Sequence, residues 1–254
     1  MNVEQKQYKK KHRRQKLPQI AFSAYSGSEE RCGDNCGWGL LSDGKLAVAL
    51  SDGMGKGELA ACESERAVNS ILPLLKAGMD AEMALQVLNL LWAMSNRKEQ
   101  FPTMDLTLLD SVNRELVIYK VGAAPTVVVR APRFRPGPHA SRQPAPKGPG
   151  PVVLEPPEHI EILTAPAMPM GAAECSEIAS VSTLVMPGDR IIMMTDGILD
   201  SNRDDLELKW LHRLLTRIKS RNLQTVCDLI IREAALNYGA GEKDDMTVVI
   251  FDVK

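Results

Sequence analysis

The chain has 254 residues, of which 44% are hydrophobic and 25% are charged, and its formal net charge is −1. This composition is typical of a globular protein, and the near-zero charge and low aromatic content argue against a nucleic-acid-binding protein. No stretch reaches the roughly 18 apolar residues of a membrane-spanning helix. The five scattered cysteines predict reduced thiols. We therefore expect a cytoplasmic chain, whether complete or a fragment of a membrane-tethered protein.

The N-terminal part is predicted to hold a basic tail and the first strands. Residues 1–17 carry a run of Lys and Arg with almost nothing to bury, which is typical of a solvated tail or a linker remnant. An edge strand is predicted over 20–24, followed by a polar, glycine-containing loop over 27–37. The tripeptide at 42–44, Ser-Asp-Gly, lies between two apolar runs and predicts a hairpin turn, because Gly adopts positive φ easily.

Helical periodicity begins after residue 57. Apolar residues spaced three and four apart predict a helix over 59–77 that ends at Gly78, and Asp80 is a suitable N-cap for a second amphipathic helix. Three apolar segments, at 104–110, 115–122 and 125–130, then predict a three-strand meander.

Residues 131–158 hold nine of the chain's sixteen prolines and predict a flexible insertion. Because strand-like segments resume beyond it, we expect the insertion to lie inside one domain of residues 18–254. The pattern there predicts strands around a turn at 187–189, helices near 206–221 and 225–239, and a closing strand at 246–253. Strands and helix pairs in this order predict an α+β layered domain built mainly on antiparallel sheet.

Three short acidic motifs each place aspartate where an apolar strand stops or starts. They are ALSDGMGKG at 49–57, MMTDG at 193–197 and DDMTVV at 244–249. A carboxylate at such a position cannot stay ionised and unpaired near the core, because burying an isolated charge is costly. Hard oxygen ligands without a companion cluster of His or Cys favour magnesium, manganese or calcium over zinc.

A fourth acidic position, Asp34, lies on the loop before the first hairpin. A single Ser-Asp-Gly sequence is typical of an ordinary turn, and for one motif alone that interpretation is preferred. The ordered set of four predicts instead a cation site to which Asp52, Asp196 and the Asp244–Asp245 pair contribute. The glycines after Asp52 let the backbone approach a ligand, so the carbonyl of Gly53 is a further candidate ligand.

The order and spacing of these motifs resemble the PPM superfamily of metal-dependent protein serine/threonine phosphatases. The resemblance covers about residues 19–254 and is strongest to the C-terminal phosphatase domain of the stage II sporulation protein E (SpoIIE) family. It rests on ALSDGMGKG, the strand TMDLTLLD at 103–110, KVGAAP, IIMMTDGI and DDMTVV. It implies an α-β-β-α sandwich, two mainly antiparallel sheets flanked by helices, with a binuclear manganese or magnesium site between the sheets.

The resemblance also implies a role for each acidic residue. Asp52 matches the carboxylate that bridges both cations, and the carbonyl of Gly53 matches a further ligand. Asp196 and Asp244 match the two aspartates of the first ion, and Asp34 matches the acidic residue of the second. Asp52, Asp196 and Asp244 are thus the implied catalytic set, and a water activated by the two ions attacks phosphorus without a phosphoenzyme.

Two assignments stay open at this stage. Asp245 stands where many relatives have Asn, so either Asp244 or Asp245 is the direct ligand. The phosphate-holding Arg of eukaryotic PPM enzymes falls here at Glu29. Phosphate capture therefore rests on the ions alone or on Arg31 or Lys56, the two candidate substrate-binding residues.

The resemblance implies a phosphorylated protein substrate, by analogy a small STAS-domain anti-anti-sigma factor in a sporulation or stress sigma-factor pathway. It further implies that the helices after Gly57 act as a switch, through which the chain forms a homodimer. An alternative is a catalytically silent PPM-fold module that binds a metal or a partner; such a copy would show Asn, Ser or Ala at the acidic positions, and all of them are filled. A haloacid-dehalogenase-like hydrolase would need a parallel sheet with an N-terminal DxDx strand, and no such strand is present.

Overall fold

The structure is a computed structural model that describes residues 18–28, 31–95, 101–131, 160–165, 168–172, 178–202, 205, 208–239 and 241–254. The predicted basic tail, nearly all of the predicted Pro-rich insertion, and Glu29 lie outside this range. Among the described residues, no helix combines the length and the apolar character needed to cross a membrane. The cysteines that fall within the range, Cys32, Cys36, Cys62 and Cys227, are free thiols.

Ten strands and five helices make up the described part of the chain. The strands are β1 (Ile20–Tyr25), β2 (Asp34–Leu40), β3 (Leu46–Asp52), β4 (Met104–Asp110), β5 (Glu115–Val121), β6 (Thr126–Val129), β7 (Ile160–Leu163), β8 (Ala179–Leu184), β9 (Arg190–Met194) and β10 (Met246–Asp252). The helices are α1 (Glu58–Lys76), α2 (Ala81–Met94), α3 (Asp196–Asp200), α4 (Lys209–Arg217) and α5 (Leu223–Asn237).

The strands form two five-stranded sheets that pack face to face. The first sheet has the order β1-β10-β9-β6-β7 and the second has the order β2-β3-β4-β5-β8. Every pairing among the described strands is antiparallel, which excludes the parallel sheet of a haloacid-dehalogenase-like hydrolase. Helices α1 and α2 pack on the outer face of the second sheet, and α4 and α5 pack on the outer face of the first. The α-β-β-α sandwich predicted from the sequence is therefore confirmed.

Strand β3 shows how the layers are built. Its residues alternate between the two faces of the sheet because the side-chain period of a strand is two. Leu46, Val48 and Leu50 fill the space between the sheets, whereas the small Ala47 and Ala49 face α1. All five are almost fully buried. A strand buried on both faces appears in the sequence as the continuous apolar run LAVAL, and its end carries Asp52, which is half-buried.

The loop predicted over 27–37 is wrong at its C-terminal end, where β2 begins at Asp34. The sequence DNCGWG suggested turn chemistry, but its glycines make room for α1. A Cβ on Gly37 would lie 2.8 Å from Cγ1 of Val68, and one on Gly39 would lie 2.6 Å from Cε of Lys76. These glycines therefore mark a strand under a close-packed helix.

The predicted meander is also wrong, because its third strand lies in the other sheet. Strands β4 and β5 pair in the second sheet, but β6 pairs with β9 and β7 in the first, and β5 pairs with β8. The chain crosses between the sheets at 122–125, where Gly122 has a φ of 65°. A Cβ there would lie 2.7 Å from Cα of Pro169. Apolar pattern marks a strand but does not say which sheet it joins.

One largely buried arginine side chain ties the two sheets together where β6 ends. The guanidinium of Arg130 donates to Oδ2 of Asp189 and to Oγ1 of Thr183, both at 2.9 Å, and to the carbonyl of Leu184 at 2.7 Å. Asp189 belongs to the turn before β9, whereas Thr183 and Leu184 belong to β8 of the second sheet. This network lies away from the acidic motifs.

The helix predictions hold, with one shortened and one missed. Asp80 caps α2 as predicted, its Oδ1 accepting from the amides of Glu82 and Met83 at 3.0 and 3.2 Å. Helix α4 covers only Lys209–Arg217 of the predicted 206–221, because Leu208 adopts a left-handed conformation with φ of 52°. The short helix α3, which begins within the second acidic motif, was not predicted.

Replacing Ile71 by Ala should lower the free energy of unfolding by about 2–5 kcal/mol. Ile71 is fully buried between α1 and the second sheet, so the change leaves a cavity. Urea unfolding measures the loss. Leu59→Ala on the same helix is the control, since Leu59 is 66% exposed and its truncation should cost less than about 0.5 kcal/mol. Equal costs at both positions would contradict the packing described here.

Candidate active site

The acidic motifs meet at one end of the space between the two sheets. Asp34 and Asp52 are direct partners in the register of β2 and β3, and Asp196 opens α3 just after β9. The carboxyl group of Asp52 lies close enough to those of Asp34 and Asp196 for their charges to raise its pKa. Asp244, before β10, is close enough to Asp196 to repel its charge. The structure thus brings side chains from all three motifs and the early Asp34 together.

Crowding and burial make it difficult for all these carboxyl groups to be ionised at once. Burial, reinforced by the charges of Asp34 and Asp196, raises the pKa of Asp52 to about 10. Burial also raises the pKa of Asp34 to about 7, with the charge of Asp245 adding to the effect. The pKa of Asp196 is raised as well, mainly by desolvation of its carboxyl group, although the residue as a whole is exposed. Carboxyl groups this close must share a proton or a cation.

Asp245 is held by the loop that leads to β2. Its Oδ1 accepts from the amide of Gly27 at 2.7 Å and from Oγ of Ser26 at 3.3 Å, and its Oδ2 accepts from the amide of Gly33 at 2.5 Å. The side chain is almost fully buried. Asp245 thereby fixes the position of the residue directly before Asp34, while Asp244 accepts one local hydrogen bond, from the amide of Asp245 at 2.9 Å.

Two threonines couple the motifs to one another. The hydroxyl of Thr195 donates to Oδ2 of Asp34 at 2.8 Å and accepts from the amide of Thr247 at 2.9 Å, so it links β9, β10 and β2. The hydroxyl of Thr103 accepts from the amide of Asp52 at 3.0 Å. The acidic ends of β2 and β3 are therefore each held by a hydroxyl group from a neighbouring segment.

The glycines that follow two of the aspartates allow close backbone contacts. A Cβ on Gly197 would lie 2.0 Å from the carbonyl oxygen of Asp245, and one on Gly53 would lie 2.0 Å from the carbonyl oxygen of Ala60. Gly197 thus joins the second and third motifs, and Gly53 joins the first motif to helix α1. The hydroxyl of Tyr238 donates to the carbonyl of Gly197 at 2.9 Å.

The two candidate substrate-binding residues lie at the rim and are engaged in ion pairs. Arg31 contacts Glu65 at 2.6 Å and Glu58 at 3.2 Å, so it ties the loop before β2 to α1. Lys56 contacts Glu242 at 2.6 Å. Side chains on both sides of these pairs are substantially exposed, and such surface pairs contribute little to stability, so either cation can exchange its partner.

The site also contains a buried carboxylate, that of Asp105, which was not among the predicted site residues. Asp105 on β4 lines a small cavity together with Asp52, Thr103 and Asp196. Its Oδ2 accepts from Nζ of Lys120 on the neighbouring strand at 2.6 Å. The available signal was an aspartate and a lysine, each within an otherwise apolar strand, at positions that an antiparallel register places side by side.

The donor set suits a hard divalent cation. The oxygen atoms are carboxylate oxygens, and Oδ1 of Asp34 is buried without a hydrogen-bond donor. A cation would neutralise the crowding that raises the pKa values. Among the described residues, no three His, Cys, Asp or Glu side chains already enclose a common ion position as they stand. These residues therefore suit a divalent cation by the chemical type of their oxygen atoms and by their convergence at one place.

In the absence of divalent cations, Asp52→Asn should weaken the pH dependence of stability. The folded-state pKa of Asp52 lies above its ordinary value, so its contribution is complete at acid pH and is lost as the pH rises towards about 10. Wild-type protein in chelator should lose stability between about pH 5 and 9, and Asp52→Asn should lose less. Urea unfolding across this range measures the slope, with Asp43→Asn in the exposed hairpin turn as control. Parallel slopes for wild type and Asp52→Asn would contradict the crowding.

Comparison with known proteins agrees with this architecture. The family model for stage II sporulation protein E (SpoIIE) matches residues 42–145 and 147–254. Stage II sporulation protein E of Priestia megaterium is 27% identical over 220 residues, which are 86% of this chain and 33% of that protein. This chain therefore spans about a third of that relative's length.

Two solved structures share the fold. The PP2C phosphatase domain and regulatory fragment of SpoIIE from Bacillus subtilis superposes with a TM-score of 0.74 at 24% identity, covering 92% of this chain and 63% of that one. RsbX in complex with magnesium has a TM-score of 0.62 at 15% identity, covering 94% of this chain and 100% of that one. The chain therefore belongs to the stage II sporulation protein E family and has the fold of a PP2C phosphatase domain.

Proposed function

We propose that this chain is a metal-dependent protein phosphatase that hydrolyses phosphoserine or phosphothreonine with two divalent cations, Mn²⁺ or Mg²⁺. The observation that carries the proposal is the convergence of Asp34, Asp52, Asp196 and Asp244 at one end of the space between the sheets of a PP2C fold, where Asp34 is buried, Asp52 and Asp244 are half-buried and Asp196 is exposed. Membership of the SpoIIE family and the magnesium in the RsbX structure support it. The filled acidic positions favour an enzyme over the alternative of a catalytically silent regulatory module.

Asp52 would bridge the two ions, since its carboxyl group lies between those of its neighbours. Asp196 and Asp244 would hold one ion, and Asp34 with the carbonyl of Gly53 would hold the other. Both oxygen atoms of Asp245 accept hydrogen bonds from the loop at 26–33, and this favours Asp244 as the direct ligand. When bound, a pair of such cations lowers the pKa of a water and stabilises the charge on phosphoryl oxygens.

The protein's own contribution is to hold these groups in place. Thr195 orients the carboxylate of Asp34, and Thr103 fixes the backbone at Asp52. Preorganised ligands need no reorganisation during the reaction, which is the main way in which a site of this kind accelerates it. At the rim, Lys56 and Arg31 are cations within reach of an incoming phosphate once they leave their surface partners.

The substrate is proposed to be a phosphorylated small STAS-domain anti-anti-sigma factor of a sporulation or stress sigma-factor pathway. The proposal rests on the family relationship, because no feature of the described rim identifies one protein partner.

A homodimer through the switch helices α1 and α2 is part of the same proposal. Gly53 packs directly on the backbone of α1 at Ala60, so a movement of α1 would displace the Gly53 carbonyl. Helix α2 turns four large apolar side chains outward, Met83, Leu90, Leu91 and Met94, each at least 46% exposed. A partner bound there can act only by preferring one arrangement of the helices.

Asp52→Asn should reduce manganese-dependent phosphate release from a panel of phosphorylated STAS-domain proteins by at least about 100-fold. A bridging ligand supports several kcal/mol of transition-state stabilisation, and each 1.4 kcal/mol is about tenfold in rate. Asp43→Asn is the folded control and should keep wild-type activity. Wild-type turnover in Asp52→Asn at saturating manganese would overturn the bridging role, and an inactive wild type that still binds cations would favour the silent module.

Lys56→Met and Glu242→Gln should shift KM in opposite directions. The first removes a rim cation and should raise KM about twofold to fivefold; the second frees Lys56 from its ion pair and should lower KM by a similar factor. Both shifts should shrink at high salt. Steady-state kinetics on one phosphoprotein measures them, with Lys45→Met in the distal hairpin as control. Shifts in the same direction for both variants would exclude exchange of Lys56 between Glu242 and phosphate.

Activity per chain should rise with protein concentration if the dimer assists the site, and Leu91→Glu should abolish the rise. Leu91 and Leu236 are similarly exposed leucines on different helices, so Leu236→Glu is a matched control that should leave the rise intact. Sedimentation analysis and phosphate release at several concentrations test this. Concentration-independent activity of a monomer would contradict the dimer.

A further inference from the structure

A lysine and an aspartate form an ion pair beneath the acidic cluster. Asp105 on β4 and Lys120 on β5 are direct register partners, and each side chain is only 1% exposed. Nζ of Lys120 donates to Oδ2 of Asp105 at 2.6 Å, to Oγ1 of Thr126 at 2.8 Å and to the carbonyl of Ala124 at 2.5 Å. The hydroxyl of Thr126 in turn donates to the same Oδ2 at 2.9 Å. These contacts use all three donors of the ammonium group.

Stability alone does not account for this pair. Desolvation of two buried charges commonly cancels their attraction, so an apolar pair of similar volume would serve the fold as well. Burial raises the pKa of Asp105 and lowers that of Lys120, and the attraction between them opposes both changes. The pair is also incomplete: Oδ1 of Asp105 is buried and has no hydrogen-bond donor. An unsatisfied carboxylate oxygen costs free energy unless something binds it.

The free oxygen belongs to a residue that lines the active site. Asp105 borders a cavity together with Asp52, Thr103 and Asp196, with room for about one water molecule. In the β3–β4 register Asp105 lies opposite Leu50, two residues before Asp52, so Asp105 and Asp52 share one face of the sheet. Because Lys120 and Thr126 both donate to Oδ2, Oδ1 is the oxygen atom of Asp105 that remains available to that cavity.

We propose that Asp105 is a positioning residue of the active site: Lys120 and Thr126 hold its Oδ2, and its Oδ1 accepts a hydrogen bond from a water molecule in the cavity beside Asp52 and Asp196. That water is placed to hydrate a cation held by the acidic cluster. The inference rests on the proposed function only in assuming that the cluster binds divalent cations. Lys120 contributes by keeping the Asp105 carboxylate charged and correctly oriented.

Titration of the intact chain with Mn²⁺ alone, followed by calorimetry, tests the role of Asp105. Asp105→Asn should weaken Mn²⁺ affinity about 10-fold to 100-fold, the range for residues that orient metal-bound groups. With a phosphoprotein substrate, kcat should fall while KM changes less than about twofold, because the substrate does not touch Asp105. Asp189→Asn is the matched control, since Asp189 is also fully buried and accepts from a cation, Arg130. It should cost stability without changing Mn²⁺ affinity.

Each outcome has a distinct meaning. Unchanged Mn²⁺ affinity in folded Asp105→Asn, or an equal loss in Asp189→Asn, would overturn the positioning role. If Asp105→Asn does not fold, Thr126→Val decides, because it removes one donor to Oδ2 and leaves the ion pair; an affinity loss of about fivefold is expected, and no loss would overturn the proposal. A wild type that binds no Mn²⁺ would refute the cation site of the proposed function instead.

Discussion

The structure depends on the electrostatic cost of placing several carboxylates close together at one partly buried position. The carboxyl group of Asp52 lies close to those of Asp34 and Asp196 at one end of the space between the sheets, and burial, reinforced by their charges, raises the pKa of Asp52 to about 10. Such a cluster persists in a folded protein only where protons or cations neutralise it. The strand ends, the hydroxyls that pin them and the close backbone contacts at glycine all serve to keep these groups together. Keeping these groups together therefore costs stability as long as their charges are not neutralised.

The sandwich supplies this convergence through its topology. Strands β3, β9 and β10 occupy interior positions in the two sheets, so their ends meet where the sheets face each other. Asp52 reaches the site from the second sheet, and Asp196 and Asp244 reach it from the first. Asp245 holds the amides of Gly27 and Gly33 ahead of β2, and helix α1 packs on Gly53 directly after Asp52. Because Gly33 precedes Asp34 and Gly53 follows Asp52, a displacement of either element would move an acidic residue.

Much of this arrangement could be predicted from the sequence, because the strands that carry the acidic motifs are continuous apolar runs with few alternatives. The position of β6 could not, since an apolar run such as TVVV packs equally well in either sheet and only the crossing at Gly122 decides. The first part of β2 was predicted as a loop, because glycines that leave room for a packed helix cannot be distinguished in a sequence from glycines of a turn. Asp105 was not predicted as a site residue, because its role depends on pairing with Lys120, and that pairing follows from the strand register and not from the sequence pattern. Patterns along the chain thus identify elements, whereas pairing between elements identifies buried polar partners.

In the proposed function, Asp52 joins two cations into one centre. Electron paramagnetic resonance during titration of the wild-type chain with Mn²⁺ tests it most directly, because two ions bridged by one carboxylate are exchange-coupled. The account predicts a coupled spectrum that saturates at two ions per chain and that is lost in Asp52→Asn. Isolated, uncoupled Mn²⁺ signals throughout the titration, or saturation at a single ion, would contradict it.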